Sequence, residues 1–321
     1  MSVVLVGCGG SSPADDDGSD ADAGGDDGSG SAAGDKLGTF SVQLIAPRVE
    51  NDGSTTPGYT SVLGKVYDGV TPETVVWDTA ATSGECALAI PRVPFCSPAC
   101  GSNMACVADN TCATYPTAQS VGSVHLDGVK TATGTGVDLT VVANSYQVAG
   151  ATLAYPAFAE GEAIKLTATG SAFAAAFTAS SKGVATLALG SAGSLALEAG
   201  APLALTWTVP AASAGSTIHV KLDISHHGGS KGKIECDTTD NGSLSVASTL
   251  VDQLLGLGVA GFPTVIVTRA ATGHAAVATG HIDLVVSSEV EVAVGVPGVQ
   301  SCTTDDQCTA PATCQDDLTC R

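Results

Sequence analysis

The chain has 321 residues, 44% of them hydrophobic, and its 32 acidic and 12 basic side chains give a formal net charge of −20. This hydrophobic fraction excludes a wholly disordered chain, and the length corresponds to one or two globular domains. The acidity argues against a nucleic-acid partner, because phosphate binding needs a patch of Lys and Arg. Only 4% of the residues are aromatic whereas 39 are Gly, which favours a β protein over a helical bundle.

The N-terminus carries a short apolar stretch that ends in a cysteine, Leu5-Val6-Gly7-Cys8. The stretch resembles the bacterial lipobox, in which a small residue precedes a cysteine that accepts diacylglycerol. The resemblance implies that Cys8 is the lipidation site. Since residues 1–7 lack Lys and Arg, we interpret residues 1–8 as a truncated signal peptide. The alternative is that Cys8 is a buried or unpaired thiol.

The next segment is rich in Gly, Ser and Asp. Residues 9–35 contain eight Asp and neither Lys nor Arg. Such a segment cannot bury a hydrophobic core, and repulsion between its carboxylates keeps it extended. We therefore predict a disordered acidic linker over residues 9–36, which would hold the folded part away from a membrane.

Residues 37–300 consist mainly of short alternating or β-branched runs that end at turn residues. Asp127-Gly128 and Asn241-Gly242 tolerate the positive φ that tight hairpins require. About ten strands without intervening helices predict an all-β fold, with antiparallel sheets packed face to face in a β-sandwich. The predicted strands are residues 40–46, 59–67, 74–77, 121–126, 137–143, 164–169, 184–189, 203–209, 217–224, 263–268 and 282–296.

Residues 248–255 break the strand pattern because their apolar side chains fall on one helical stripe. Ser248 is the predicted N-cap and Gly256 the predicted stop, so we expect one short helix at an end of the sandwich. Trp77 and Trp207 lie in apolar strands and are expected in the core. We expect no membrane-spanning helix, because such a helix needs about 20 predominantly apolar residues.

After Cys8, ten cysteines remain, and eight of them form two clusters with few apolar neighbours. Structural zinc sites usually contain cysteines separated by two to four residues, and only Cys96 and Cys100 approach that spacing. We therefore predict disulfides, with the connectivity inside each cluster left open. The clusters are Cys96, Cys100, Cys106 and Cys112 in a module inserted at 96–112, and Cys302, Cys308, Cys314 and Cys320 in a C-terminal module at 301–321.

Cys86 and Cys236 remain outside the clusters. Because each cluster has an even number of cysteines, these two are left to pair with each other. Their disulfide would close a loop of about 150 residues, worth about 4–5 kcal/mol in the chain-entropy model. The alternative is that Cys86 joins its near neighbours in the first cluster.

The two clusters share a short sequence pattern, seen in Cys106-Val-Ala-Asp-Asn-Thr-Cys112 and in Cys314-Gln-Asp-Asp-Leu-Thr-Cys320. With the lipobox, acidic spacer and β-rich body, the chain resembles myxobacterial-type cell-surface lipoproteins whose Cys-rich repeats are similar to EGF or Dickkopf N-terminal modules. The resemblance implies lipid attachment to the bacterial cell envelope, where we expect the outer membrane. It implies no reaction and no cofactor, and leaves an unknown extracellular ligand or protein as the partner.

Three residues between positions 223 and 232 are the strongest candidates for catalysis: His226, His227 and Ser230, with Ser230 in a G-x-S-x-G pattern. A hydrolase nucleophile elbow needs a strand directly before the serine and a helix directly after it, and neither is predicted at Ser230. We therefore predict a Gly-rich loop without catalytic residues. An exported serine hydrolase using Ser230 and a His is the alternative.

A metal site is the second candidate, because His219, Asp223, His226, His227, His281 and Asp283 occur in two stretches. On one strand His219 and Asp223 lie about 13 Å apart, too far to ligate one ion. His281 and Asp283 lie about 7 Å apart, which suits a metal only if a third ligand converges from another strand. We predict no metal site and a non-catalytic structural or ligand-binding protein, with a metal-dependent binding module as the alternative.

Overall fold

The computed structural model describes residues 34–49, 54–190, 195–211 and 215–321. The predicted lipidation site, Cys8, lies outside the described residues, as does almost all of the predicted linker. The last two linker residues, Asp35 and Lys36, belong to the first strand. The folded body therefore begins slightly earlier than the composition indicates.

The described residues form twenty β-strands and one α-helix, together with a 3₁₀ turn at Asp305–Gln307. The all-β class with one short helix is therefore confirmed. The elements are β1 (Asp35–Ile45), β2 (Arg48–Val49), β3 (Thr55–Thr56), β4 (Tyr59–Val66), β5 (Val76–Ser83), β6 (Cys86–Arg92), β7 (Met104–Ala108), β8 (Thr111–Thr114), β9 (Val124–Lys130), β10 (Thr135–Val142), β11 (Ser145–Val148), β12 (Ala163–Ala168), β13 (Phe177–Lys182), β14 (Leu195–Ala196), β15 (Leu203–Thr206), β16 (Thr217–Asp223), β17 (Lys233–Thr239), β18 (Ser243–Val246), α1 (Ser248–Gly256), β19 (Thr264–Val277) and β20 (Gly280–Gly295).

Fourteen of these strands form one sheet, in the order β13-β12-β9-β10-β11-β4-β1-β20-β19-β16-β17-β6-β5, with β14 also paired to β20. Both β1 and β14 run parallel to β20, so the sheet is mixed. The turn residues that mark hairpins in the sequence carry no information about a parallel pair, because parallel neighbours are joined by long connections.

The two longest strands, β19 and β20, form a hairpin that contributes to two hydrophobic clusters. Side chains alternate between the two faces of a strand, and one face of this hairpin supplies residues to both clusters. Its contributions to the first cluster include Ala275, Ile282, Leu284 and Val286, and to the second Val265, Val267 and Val294. The hairpin therefore connects the two parts of the core.

The first cluster is enclosed because the sheet curls until its edge strand β13 lies against β19. The hydroxyl of Ser181 donates a hydrogen bond to the carbonyl of Ala271 at 2.8 Å. Next to this contact, Gly273 of β19 lies so close to the backbone of Ser180 that a β-carbon at position 273 would clash. Only glycine permits this close approach.

The second cluster lies beneath the β15–β18 pair and α1. Leu250, Val251 and Leu254 of the helix are buried, as the apolar stripe predicts. Ser248 is the first helical residue rather than the cap, since Ala247 occupies the N-cap position without a side-chain hydrogen bond. Gly256 is the last helical residue, so the helix ends one position later than predicted.

Two further local predictions differ from the structure. Trp207 is buried, but Trp77 is only partly buried, and the Nζ of Lys233 lies 4.4 Å from its ring centroid. Residues 184–189 do not form a strand, although Val184 and Leu187 are buried. The backbone N–H of Leu187 donates to the hydroxyl of Ser288 at 2.9 Å, and Leu189 makes only an isolated antiparallel bridge to Trp207, so this segment lies against the core without forming a strand.

A polar network occupies the hairpin position between the two clusters. Arg269 and Ser288 are cross-strand neighbours, and both are buried. The guanidinium of Arg269 donates from Nε to Asp240 Oδ2 at 2.6 Å and from Nη2 to Asp240 Oδ1 at 3.0 Å. Asp240 also accepts from Trp207 Nε1 and from the hydroxyl of Ser216, each at 2.8 Å. The buried charges are therefore paired and hydrogen-bonded, as burial requires.

Candidate functional site

The ten cysteines of the described residues form five disulfides. Disulfide bonding is therefore confirmed. Cys86 and Cys236 pair with each other as parity suggests, at directly opposed positions of β6 and β17 with their Cα atoms 4.1 Å apart. The alternative pairing of Cys86 within the first cluster does not occur.

The two Cys-rich modules have the same connectivity, with the first cysteine joined to the third and the second to the fourth. The sequence alone leaves three pairings open for each cluster. Sulfur atoms within each module lie close together, but they are bonded to one another and are not thiolates that a metal could bind. The disulfides are Cys96–Cys106, Cys100–Cys112, Cys302–Cys314 and Cys308–Cys320.

The C-terminal module packs against the body beside the loop at residues 224–232, which contains His226 and His227 and is called the His-rich loop below. The backbone N–H of Gly261 donates to the carbonyl of Asp317 at 2.7 Å, and the hydroxyl of Ser301 donates to the carbonyl of Gly261 at 2.6 Å. On the other side, the N–H of Phe262 donates to the carbonyl of His226 at 2.8 Å. Residues 260–262 therefore lie between the module and the loop.

The His-rich loop is organised by Ser225 rather than by Ser230. Ser225 is buried, and both its backbone N–H and its hydroxyl donate to Asp223 Oδ1, at 2.7 and 3.0 Å. Its hydroxyl oxygen also accepts from the N–H of Lys231 at 3.0 Å. These bonds close a polar turn of the kind that Ser and Asp favour.

The predicted candidates for catalysis are not assembled into a nucleophilic site. Ser230 is exposed, and among the described residues it forms no hydrogen bond to His226 or His227. The two imidazole rings instead pack on each other, with centroids 3.9 Å apart. Burial lowers the pKa of His226 below its ordinary value, and the adjacent His227 lowers it further. A serine nucleophile needs a base within hydrogen-bond reach, and this loop does not provide one.

The first group of candidate metal ligands, in residues 219–227, does not converge on a common point. His219 Nδ1 lies 2.8 Å from Asp237 Oδ1 on β17, while Asp223 is hydrogen-bonded to Ser225. Each side chain therefore has its own partner, and none points toward a shared centre.

The second group, His281 and Asp283, has a third neighbour, His274, that the sequence analysis did not name. His274 of β19 is the direct cross-strand neighbour of Asp283 on β20. Asp283 Oδ1 lies 3.7 Å from His274 Nδ1 and 3.6 Å from His281 Nε2. The register of β19 against β20 brings His274 to this position, but the donor atoms of the three side chains do not all lie within 4.8 Å of one another, so the condition for a metal site is not met among the described residues.

The chain's first described residues support this group. His281 Nδ1 lies 3.1 Å from the carbonyl oxygen of Gly34, just before β1. A side chain on Gly280 would clash with the carbonyl of Asp35, so glycine at 280 allows β1 to begin directly against the hairpin turn. The backbone of β1 thereby fixes one edge of the His281 ring.

Among the described residues, α1 and the 3₁₀ turn are both too short to cross a bilayer, and no apolar helix of spanning length exists. Comparison with protein-family models and with curated proteins finds no match for this chain.

Proposed function

We propose that the protein is a lipid-anchored surface protein of the bacterial cell envelope, with a structural or ligand-binding role and no catalysis. The observation that carries this proposal is the set of five disulfides. Disulfides form and persist in oxidising compartments outside the cytoplasm. Modules as small and polar as residues 96–112 and 301–321 depend on such cross-links.

The anchor in this proposal is Cys8, followed by the acidic linker. A lipidated N-terminal cysteine carries two or three acyl chains, and two suffice for stable attachment whereas one does not. Asp-rich sequence between the anchor and β1 would separate the body from the anionic membrane surface. The outer membrane is the proposed location.

The absence of catalysis is supported by the geometry of the His-rich loop. Ser230 is exposed and has no imidazole base within hydrogen-bond distance among the described residues. The proposed partner is an extracellular ligand or protein. We assign binding or spacing roles to the Cys-rich modules, whose proposed EGF- or Dickkopf-like character is supported by their shared connectivity.

The anchor is tested by Cys8→Ala in cells that export the full chain. We expect the variant to move from the membrane fraction to the soluble fraction, because its only proposed attachment is the lipid on Cys8. Ser11→Ala is the matched control and should remain with membranes. Unchanged membrane fractionation of Cys8→Ala would refute the anchor, and ten alkylatable thiols in the native protein would refute the oxidised state.

A further inference from the structure

We propose that the first Cys-rich module binds an uncharged segment of another protein through a face formed by Phe95 and the turn at residues 109–111. The proposal deepens the binding role proposed for the modules and rests on it, but it does not depend on the anchor at Cys8. A comparison of the two modules carries it, because the corresponding face of the C-terminal module is covered by a segment of this chain.

The two modules contain the same turn. In each module the last cysteine is preceded by an aspartate, one further residue and a threonine, and the middle residue has a left-handed backbone. This residue is Asn110, with φ of 61°, in the first module and Leu318, with φ of 58°, in the second. Leucine rarely adopts a positive φ, so its occurrence at the corresponding position indicates that the two turns have the same shape.

The residue directly before the first cysteine lies against this turn in both modules. In the first module the N–H of Phe95 donates to Asp109 Oδ1 at 3.0 Å, and its carbonyl accepts from the N–H of Asn110 at 2.9 Å. In the C-terminal module Ser301 forms an antiparallel bridge with Thr319. Phe95 and Ser301 therefore occupy corresponding positions beside corresponding turns.

In the C-terminal module this face is covered by residues 260–262 of the body. The N–H of Gly261 donates to the carbonyl of Asp317 at 2.7 Å, and the hydroxyl of Ser301 donates to the carbonyl of Gly261 at 2.6 Å. Thr319, in the same turn, is only 3% exposed. The face thus recognises the backbone N–H and C=O of one residue, and the segment that supplies them is uncharged.

In the first module the corresponding residues face solvent. Residues 109–111 are all exposed, whereas residues 317–319 are partly or fully buried. Phe95 is 72% exposed, and Val93, two positions before it, is 75% exposed. Aromatic side chains are enriched at protein interfaces, and neighbouring exposed apolar residues are typical of a surface that a partner covers.

The chemistry of the face selects the partner segment. Arg92 lies 3.2 Å from Asp109 and 2.9 Å from Asp78, so the charges beside the face are already paired and an uncharged segment suits it. Phe95 replaces the hydroxyl of Ser301 with an apolar ring, so we expect the partner to place an apolar side chain there. A backbone N–H of the partner would donate to the turn, as Gly261 does in the C-terminal module.

A synthetic peptide with the sequence of residues 258–264, Gly-Val-Ala-Gly-Phe-Pro-Thr, has these properties and serves as the probe. Fluorescence anisotropy of the labelled peptide, titrated with the oxidised full-length protein, measures binding. We expect saturable binding with a Kd of about 1 mM or below. Phe95→Asp should weaken it about tenfold or more, because the change places a charge where the apolar contact forms.

Val141→Asp is the matched control, because it makes the same kind of change at an exposed apolar residue of β10, and it should bind the peptide like the wild type. Circular dichroism checks that both variants are folded. A peptide with N-methylglycine at the position of Gly261 lacks the N–H donor and should bind about fivefold more weakly. Equal binding of the two peptides would contradict recognition of the backbone.

Hydrogen-exchange mass spectrometry locates the bound peptide. We expect the peptide to slow exchange at residues 95–111. Slower exchange confined to residues 301–320, or unchanged binding by Phe95→Asp, would mean that the peptide displaces the body's own segment from the C-terminal module, and would overturn the proposal. Absence of binding by the wild type would also overturn it. The tests of the anchor and of the oxidised state are separate measurements, so a failure here is distinguishable from a failure of the proposed function.

Discussion

At the scale of single residues, neighbouring carboxylates of β20 lie in contrasting surroundings. Glu289 is half-buried, and it accepts hydrogen bonds from Gln43 at 2.8 Å and from Thr268 at 3.2 Å. Burial raises the pKa of Glu289, and repulsion from Glu291 contributes to the rise. Glu291 itself reaches Arg48 at 3.2 Å and is more exposed to solvent.

We expect Glu289→Gln to stabilise the folded protein near pH 7 and to change little below about pH 4. The pKa of Glu289 is higher in the folded protein than in the unfolded chain. Its contribution to stability is therefore complete below the unfolded pKa and is lost as pH rises through the folded pKa. Gln mimics the protonated carboxyl and avoids this loss. Urea unfolding at the two pH values measures the difference.

Glu291→Gln is the control for this experiment, and we expect no stabilisation because the change removes the charge that faces Arg48. An equal gain for Glu289→Gln at both pH values would contradict the assigned pKa shift.

Residue chemistry could be predicted from the sequence where it depends on spacing along one strand. His281 and Asp283 are two positions apart and share a face in any strand, so the sequence identifies them. His274 could not be found in this way because its proximity depends on the register of β19 against β20. Ser230 has the pattern of a nucleophile, but the turn formed by Asp223 and Ser225 leaves it exposed.

At the scale of elements, the Cys86–Cys236 disulfide joins two neighbouring strands near an edge of the large sheet. β17 connects β6 to the rest of the sheet, and β5 pairs only with β6 within the described sheet. The bond closes a loop of 150 residues, so in the chain-entropy model it restricts the unfolded chain more than the disulfides of the modules do.

We expect the double change Cys86→Ser and Cys236→Ser to lower the free energy of unfolding by about 4–5 kcal/mol. The loss arises mainly from the greater freedom of the unfolded chain, and urea unfolding of the oxidised protein measures it. The matched control is Cys100→Ser with Cys112→Ser, whose disulfide has a sequence separation of 12 and belongs to one module. A control loss as large as that of the first pair would contradict this assignment.

Element types were largely predictable, whereas pairings were not. Alternation identifies β16 as a strand and the apolar stripe identifies α1, because each signal is local. The parallel pairing of β1 with β20 joins the two ends of the body, and nothing near either strand encodes it. Residues 184–189 have the composition of a strand but lie against the core beside Ser288 without forming one.

At the scale of the whole molecule, the buried network of Arg269 and Asp240 links the two hydrophobic clusters. Arg269 also donates to the carbonyls of Ala185 and Thr208, at 3.1 and 2.7 Å. These contacts attach segments outside the hairpin to its centre. A buried charge that loses its partner is strongly destabilising, whereas a paired one is tolerated.

We expect Arg269→Met to lower the free energy of unfolding by about 3–5 kcal/mol, because it leaves the charge of Asp240 buried without its partner. The double variant with Asp240→Asn should recover part of the loss, since it removes the charge and keeps an acceptor for Trp207. Urea unfolding followed by tryptophan fluorescence gives both values. A single-variant loss below about 1 kcal/mol, or a double variant that is no more stable, would contradict this role.

The position of β1 between β4 and β20 has a consequence for the order of assembly. Gln43 near one end of the chain bonds Glu289, which lies 246 positions later. During synthesis β1 must therefore wait, with the backbone edge that later pairs with β20 lacking that partner, until β20 has left the ribosome. Contacts this distant in sequence form slowly. The β1–β20 pairing is therefore the last contact that β1 can make, and the large sheet stays divided at this position until β20 has been synthesised.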